Sequence, residues 1–386
     1  MRFTQQQISE ILQEIASQED GMQQLLQMSL NAIMLSEREA YKQIHTDYSN
    51  GYRQRKTLGR GKIMELQVPR TRKGNFKPVL LTLLKDQEEE CRRIAFSLYG
   101  AGLTTEQVGE LFDELYGRHY STSSVSRMFD YAREEVHQWL YRLLDDYYPI
   151  IYIDATYIAT RRVDHVMKEG YYTILGVRAD RTREVLAVVN FPTESATGWK
   201  EVFLNLQSRG VKRVDLVVCD GLAGIEDSIA SIFTTAAVQL CVVHLQRNVL
   251  KEVKPKDKEV VSADFKEVFV LDNKEDNPKT AWERWEVFCH KWAYKYKYIG
   301  KMAVNERYKL YFTCFVYDYR IRNMIYTTNW IERLNRDYKR VTKMRGALPN
   351  PEATLLLLGR VAMTRKAYLR KIPKLNYETE KFNWEE

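Results

Sequence analysis

Apolar residues fall in short unbroken runs between positions 150 and 243 and in helical stripes on either side of that stretch. Runs such as Ile150-Ile151-Tyr152-Ile153 and Leu216-Val217-Val218-Cys219 are what strands buried on both faces require. They predict strands at 150–159, 171–178, 184–191, 213–219 and 237–243, with helices at 198–208 and 222–233. Three strands in succession, followed by strand–helix alternation, make an α/β fold with a mixed sheet and flanking helices.

Upstream, Ile8, Ile11, Leu12 and Ile15, then Leu25, Leu26, Leu30 and Ile33 recur at helical spacing in an otherwise polar stretch. Such helices can pack on the body or on a second copy. Residues 51–85 place Gly59, Gly61, Gly74, Pro69 and Pro78 around short apolar pieces and read as a hairpin or short strands. Three short helices follow between 88 and 133. Thr104-Thr105-Glu106-Gln107 fits a capping box, and Val108, Leu111, Phe112 and Leu115 form one apolar face behind it. Tyr116-Gly117-Arg118 breaks that helix, and Ser121 to Arg127 starts another. Two short helices about a glycine-containing turn suit a helix-turn-helix, although many small bundles share the spacing.

Past residue 245 the strand pattern gives way to charged, aromatic-rich helical sequence, which reads as an insertion. A last helical region covers 329–370. These changes divide the chain into a helical segment 1–50, a small basic β-rich module 51–87 and a helix-turn-helix domain 88–147. A core in two parts, 148–248 and 326–372, is interrupted by an all-α insertion 249–325, and a loosely held tail runs over 373–386.

With 386 residues, 45% of them hydrophobic, the chain has material for several cores. Its formal net charge of +8 matters less than where the charge sits. Ten basic residues between 51 and 85, among them Arg53, Arg55, Lys56, Arg70, Arg72 and Lys73, face the single acid Glu65. A local surplus of that size is an electrostatic footprint for a polyanion such as DNA. Ser123, Ser124 and Arg127 are the groove-facing candidates of the second short helix. The five cysteines are scattered without a CxxC pair, as in a reducing interior. No leader-like start and no run near ~18 apolar residues occurs. The expectation is a cytoplasmic protein that does not engage a membrane.

Asp154 and Asp220 each end an apolar run, and Glu332 lies far downstream. A carboxylate at the mouth of a buried strand is costly to desolvate unless a cation or several donors satisfy it. Hard divalent ions such as Mg²⁺ supply that partner through oxygen ligands. Each acid also has an ordinary reading: Asp154 as a turn starter, Asp220-Gly221 as a turn dipeptide, and Asn329-Trp330-Ile331-Glu332 as a capping box. Context favours chemistry. Ile331, Leu334, Tyr338 and Val341 form the buried stripe of a helix, while Glu332, Asn335, Arg336, Lys339 and Lys343 share an adjoining one, with Arg340 beside them. An acid that holds metal and cations that hold phosphate belong together in a nuclease or transferase.

The stretches Tyr152-Ile153-Asp154-Ala155-Thr156-Tyr157, Asp220-Gly221-Leu222-Ala223-Gly224, Cys241 to Asn248 and Thr327 to Asn335, in that order, resemble the Mutator-type transposases of bacterial insertion sequences. The resemblance extends upstream through Gly51-Tyr52-Arg53 and Val68-Pro69-Arg70. It implies an RNase H-like core and a DDE triad of Asp154, Asp220 and Glu332, 66 and 112 residues apart, binding two Mg²⁺ or Mn²⁺ ions. It also implies cleavage and joining of double-stranded DNA at the element's inverted repeats and a target, a homodimer on DNA near the bacterial nucleoid, and a copy-out route through a circular intermediate. Cys241-x-x-His244 matches a second family signature. Two soft ligands fall short of the usual structural zinc set, so His244 is placed at the active site, on phosphate or a carboxylate, with Cys241 as buried packing.

In the insertion, packing accounts for two of Trp282, Trp285 and Trp292, and the resemblance puts Trp292 near DNA. A nuclease without strand transfer, or a helix-turn-helix regulator without catalysis, are the alternatives.

Overall fold

The computed structural model describes residues 4–18, 20–59, 62–116, 122–163, 165–191, 196–343 and 345–372. The expected Gly117 turn and the 373–386 tail lie outside them. The chain forms two compact units, Met1–Glu134 and Glu135–Glu386.

The first unit contains α1 (Gln5–Ala16), α2 (Gly21–Ile44), β1 (Ser49–Gly59), β2 (Lys62–Thr71), α3 (Leu80–Ala101), α4 (Thr105–Tyr116) and the start of α5 (Thr122–Leu140), which crosses the boundary. The basic segment is a long antiparallel hairpin, with Arg53 opposite Val68 and Lys56 opposite Glu65. Met34 of α2 packs on Leu66 and Val68 of β2. The outer edge of β2 is satisfied by side chains of the same helix: Gln27 donates to the Glu65 carbonyl (2.8 Å) and Asn31 accepts from the Gln67 amide (2.9 Å). Such pairing blunts an otherwise open strand edge. At the start of α4 the capping box forms, with Gln107 N–H on Thr104 Oγ1 (3.2 Å) and Thr104 N–H on Gln107 Oε1 (2.9 Å).

The second unit is built on β3 (Tyr147–Arg161), β4 (Val166–Val177), β5 (Arg183–Phe191), α6 (Ala196–Ser208), β6 (Arg213–Cys219), α7 (Ile225–Ile232), β7 (Ala237–Leu240) and α8 (Val242–Lys251). A helical insertion follows as α9 (Lys258–Val268), α10 (Pro278–Ala293), α11 (Lys297–Met302) and α12 (Tyr319–Ile325), and the chain closes with α13 (Asn329–Lys343) and α14 (Pro351–Met363). The sheet order is β5-β4-β3-β6-β7. The β4 strand runs antiparallel to both β5 and β3, and β6 and β7 continue parallel to β3.

Packing explains why these segments hold. Ile150 to Ile153 and Leu216 to Cys219 are fully buried, as central strands covered on both faces must be. Trp199 of α6 sits edge-on to Tyr172 and Phe191 and stacks with Phe203. At Gly176 the backbone passes so near Tyr148 that an added Cβ would lie 2.6 Å from its Cδ1. In the insertion, Trp285 stacks with Phe288 and Tyr308, and buried Arg322 donates to the carbonyls of Tyr317, Asn273 and Asp276.

Three expectations shift. The strand predicted to 243 stops at Leu240, because Val242 belongs with Leu245 and Val249 to the buried stripe of α8. The helix predicted from 222 begins at Ile225, after a left-handed Gly224. The last helical region is two helices, parted by a turn with Gly346 at φ 65°. There Leu348 bridges to Thr160, beyond the end of β6.

Candidate active site

In the parallel register Ile153 pairs with Cys219, and Cys219 pairs with Leu240. The residues that follow are Asp154, Asp220 and Cys241, so these three lie side by side where the parallel pairing of β3, β6 and β7 stops. Past this point β6 ends while β3 continues beside β4, with Asp154 opposite Thr173. Asp220 turns sharply, its carboxylate accepting from Gly221 N–H at 2.7 Å. Cys241 caps α8 and places His244 in its first turn, with Nδ1 3.7 Å from Asp220 Oδ1.

Helix α13 lies across β3 with Ile331, Leu334, Tyr338 and Val341 buried, the stripe read from the sequence. Its first turn does not use Asn329 and Glu332 as a capping box. Asn329 is already helical, and its Oδ1 accepts from Thr327 Oγ1 (3.1 Å). Glu332 is exposed and lines a small pocket of about 140 Å³ together with Asp154 and His244. Arg247, Arg336 and Lys339 line the same pocket, so acids and cations face a common space. Asp220 adjoins it through His244. Among the described residues no three His, Cys, Asp or Glu side chains form a ready-made metal cluster.

The titratable groups of the site are perturbed in both directions. Burial pushes the Asp154 carboxyl up to about 6, His244 and Arg247 pull against that, and the charge of Asp220 adds to it. His244 is pushed up to about 9, first by its hydrogen bond with Cys241 and then by the charges of Cys241, Asp220 and Asp154, against its burial. Burial opposes ionisation of the Cys241 thiol, yet His244 holds it below its ordinary value. Two buried polar atoms in the pocket lack a hydrogen-bond partner, His244 Nδ1 and Asn335 Oδ1.

The other predicted contacts are distributed as follows. Arg53, Arg55 and Lys56 lie on β1, Arg70 on β2, and Arg72 and Lys73 just after it, all exposed except half-buried Arg55. Ser123, Ser124 and Arg127 form the start of α5, where Arg127 donates to Ser124 Oγ at 3.3 Å. Arg336, Lys339, Arg340 and Lys343 lie on the solvent-facing side of α13, all four exposed. Two placements differ from the sequence expectation. Asn335 is buried, and its amide donates to Asp154 Oδ2 at 2.8 Å. Trp292 is 9% exposed, and its indole N–H donates to Asp264 at 2.8 Å, so the ring is engaged inside the insertion. Arg247 carries no role in the sequence reading, though its place three residues after His244 puts both on one face of α8.

The profile of the family described as "Transposase, Mutator family" matches residues 2–370. The chain belongs to the Mutator family of transposases. It is 32% identical over 340 residues to the transposase for insertion sequence element IS905 of Lactococcus lactis, covering 87% of this chain and 85% of that one. It is 30% identical over 304 residues to the transposase for insertion sequence element IS1201 of Lactobacillus helveticus, covering 79% and 80%. It is 28% identical over 360 residues to the transposase for insertion sequence element IS256 in transposon Tn4001 of Staphylococcus aureus, covering 91% of each. No helix among the described residues of this Mutator-family chain is long and apolar enough to cross a membrane.

Proposed function

We propose that the protein is a DDE-type transposase that binds the ends of an insertion sequence and cuts and joins DNA by phosphodiester transesterification at Asp154, Asp220 and Glu332. The observation that carries this reading is the meeting of Asp154, Glu332 and His244 in one pocket rimmed by Arg247, Arg336 and Lys339, with Asp220 adjoining through His244. An RNase H-like core is supported by the β5-β4-β3-β6-β7 order, with Asp154 on β3 where its pairing with β6 stops and Asp220 just past the end of the parallel strand β6.

The donor set fits a hard divalent cation. The pocket offers carboxylate and amide oxygens, the Asp154 carboxyl is held above its ordinary value by burial, and Asn335 Oδ1 is buried without a partner. Asp154, Asp220 and Glu332 would hold Mg²⁺ or Mn²⁺, two ions per site, which when bound activate the attacking hydroxyl and stabilise the leaving oxygen of an in-line displacement. The side chains have their own work. Arg247, Arg336 and Lys339 offset the charge of the scissile phosphate. His244, pushed up to about 9, brings a positive charge within 3.7 Å of the Asp220 carboxylate.

On this reading the basic hairpin and the start of α5 grip the terminal repeats, two copies act on a pair of ends beside the nucleoid, and the element is copied out through a circle. Water as nucleophile gives nicking; a DNA 3′-hydroxyl gives strand transfer. The test uses labelled element ends with Mg²⁺. Asp154→Asn, Asp220→Asn and Glu332→Gln should each cut nicking and joining at least about 100-fold while end binding persists. Undiminished cleavage in any of them refutes the assignment, and nicking without joined product from pre-cut ends would make the protein a nuclease alone.

A further inference from the structure

The sequence places Asn335 among the DNA contacts, but three observations give it another role. Its side chain is buried at 5% exposure in the middle of α13. Its Nδ2 donates to Asp154 Oδ2 at 2.8 Å. Its Oδ1 lies in the wall of the active-site pocket, buried and without a hydrogen-bond partner. An ionised carboxylate only accepts, so the amide nitrogen must face Asp154 and the amide oxygen must turn away. Glu332 sits one turn earlier on the same helix, exposed at the same pocket. Positions three apart on a helix share a face, so α13 presents one acid to the opening and one amide to the strand behind it.

We infer that Asn335 is a positioning residue: it fixes the rotamer of Asp154, so that Oδ1 of that carboxylate stays available to a divalent cation. The inference rests on the reading of Asp154 as a catalytic acid. The chemistry is that of an outer-shell partner, which sets the direction of a metal-binding carboxylate through a hydrogen bond to its other oxygen. The cations Arg336, Lys339, Arg340 and Lys343 of the same helix are left to the DNA backbone. A residue that only contacted phosphate would have no reason to be buried against an acid.

The test is a double-mutant cycle on the full chain, reading Mn²⁺ affinity by electron paramagnetic resonance without DNA, nicking of labelled ends, and end binding by mobility shift. Asn335→Leu keeps the volume and removes both polar ends. It should weaken Mn²⁺ binding and nicking by about 10–100-fold, lowering kcat with little change in the concentration of ends at half-maximal rate, and leave end binding and melting intact. In an Asp154→Asn background the same change should weaken Mn²⁺ no further, because its route of action is gone. If Asn335→Leu fails to fold, Asn335→Ala, which also removes the donor and adds no ligand, should show the same losses in Mn²⁺ affinity and nicking. Equal additive losses in both backgrounds, or weakened end binding with normal Mn²⁺ affinity, overturn the inference. Should Asp154→Asn itself leave Mn²⁺ binding and nicking intact, the DDE reading fails first; should Asp154→Asn abolish them while Asn335→Leu does not, only the positioning role fails.

Discussion

Replacing Asp154 by Asn should make the metal-free protein more stable while removing its activity. The Asp154 carboxyl is pushed up to about 6, chiefly by burial and further by Asp220, net of the favourable charges on His244 and Arg247. In an unfolded chain an Asp titrates near ~3.9, and each tenfold in proton affinity is worth ~1.4 kcal/mol. Keeping this carboxylate ionised therefore costs the folded protein on the order of 2–3 kcal/mol above pH 7. The folded value lies above the unfolded one, so stability is intact below about pH 4, where both states are protonated. It declines as pH rises from about 4 to 6 and stays reduced beyond.

Asparagine has the same shape, carries no charge, and can still accept from the Asn335 amide. Melting curves in EDTA should show Asp154→Asn roughly 4–12 °C above wild type at pH 8, taking ~2–4 °C per kcal/mol for a unit of this size. The advantage should vanish at about pH 4. Adding Mg²⁺ should stabilise wild type by mass action, ~2.7 kcal/mol at a hundredfold excess over its dissociation constant, and leave the variant nearly unmoved. Identical melting of the two proteins at pH 8 in EDTA would show that Asp154 is solvated like a surface acid, and the argument for a cation beside it would lose its basis.

Two further outcomes test the two units separately. Glu184 accepts from Tyr148 Oη (2.6 Å), Arg178 Nε (2.7 Å) and Arg142 Nη2 (2.5 Å); burial raises its carboxyl, but the Tyr148 and Arg142 bonds win and hold it below the ordinary range. Its contribution is therefore present at neutral pH and declines as pH falls below about 4, so Glu184→Gln should lose about 3 kcal/mol in urea unfolding at pH 7 and progressively less as the pH is lowered below about 4. In the first unit, converting Arg53, Arg55 and Lys56 together to Gln should weaken binding to all DNA sequences alike and lower the salt slope by up to ~2.7, at ~0.9 for each phosphate no longer neutralised. A slope that does not move would take the hairpin off the DNA backbone.

The elements legible in the sequence are those whose pattern has a single solution. The run 213–219 is a strand over that very range, because seven residues with a continuous apolar end have no amphipathic helix to form. The buried stripe of α13 is legible for the opposite reason: strong polar and apolar segregation at 3.6-residue spacing. Val242-Val243 misleads because a short apolar run looks alike in a strand and in the first turn of a buried helix. For Asn335 and Trp292 the sequence offers only residue type, and residue type does not reveal that a polar group near a surface stripe is held by a partner 181 positions away. The acids proposed here stand out in the sequence only as a set, since order and a basic helix together constrain what any one Asp-Gly dipeptide leaves open.

The insertion explains how 112 residues can separate Asp220 from Glu332 without loosening the site. The cost of closing a chain segment grows slowly with its length, so what matters is how firmly its two ends are joined. The chain leaves the core at the start of α8 and returns at the end of α12, and these points meet directly: Val242 N–H donates to the Tyr326 carbonyl at 2.9 Å. Cys241 Sγ lies 3.6 Å from the hydroxyls of both Thr327 and Thr328, immediately before the helix that carries Glu332. The buried thiol is thus a joint between the strand end that supplies His244 and the segment that launches α13. It places two parts of the pocket relative to each other however long the intervening helices become.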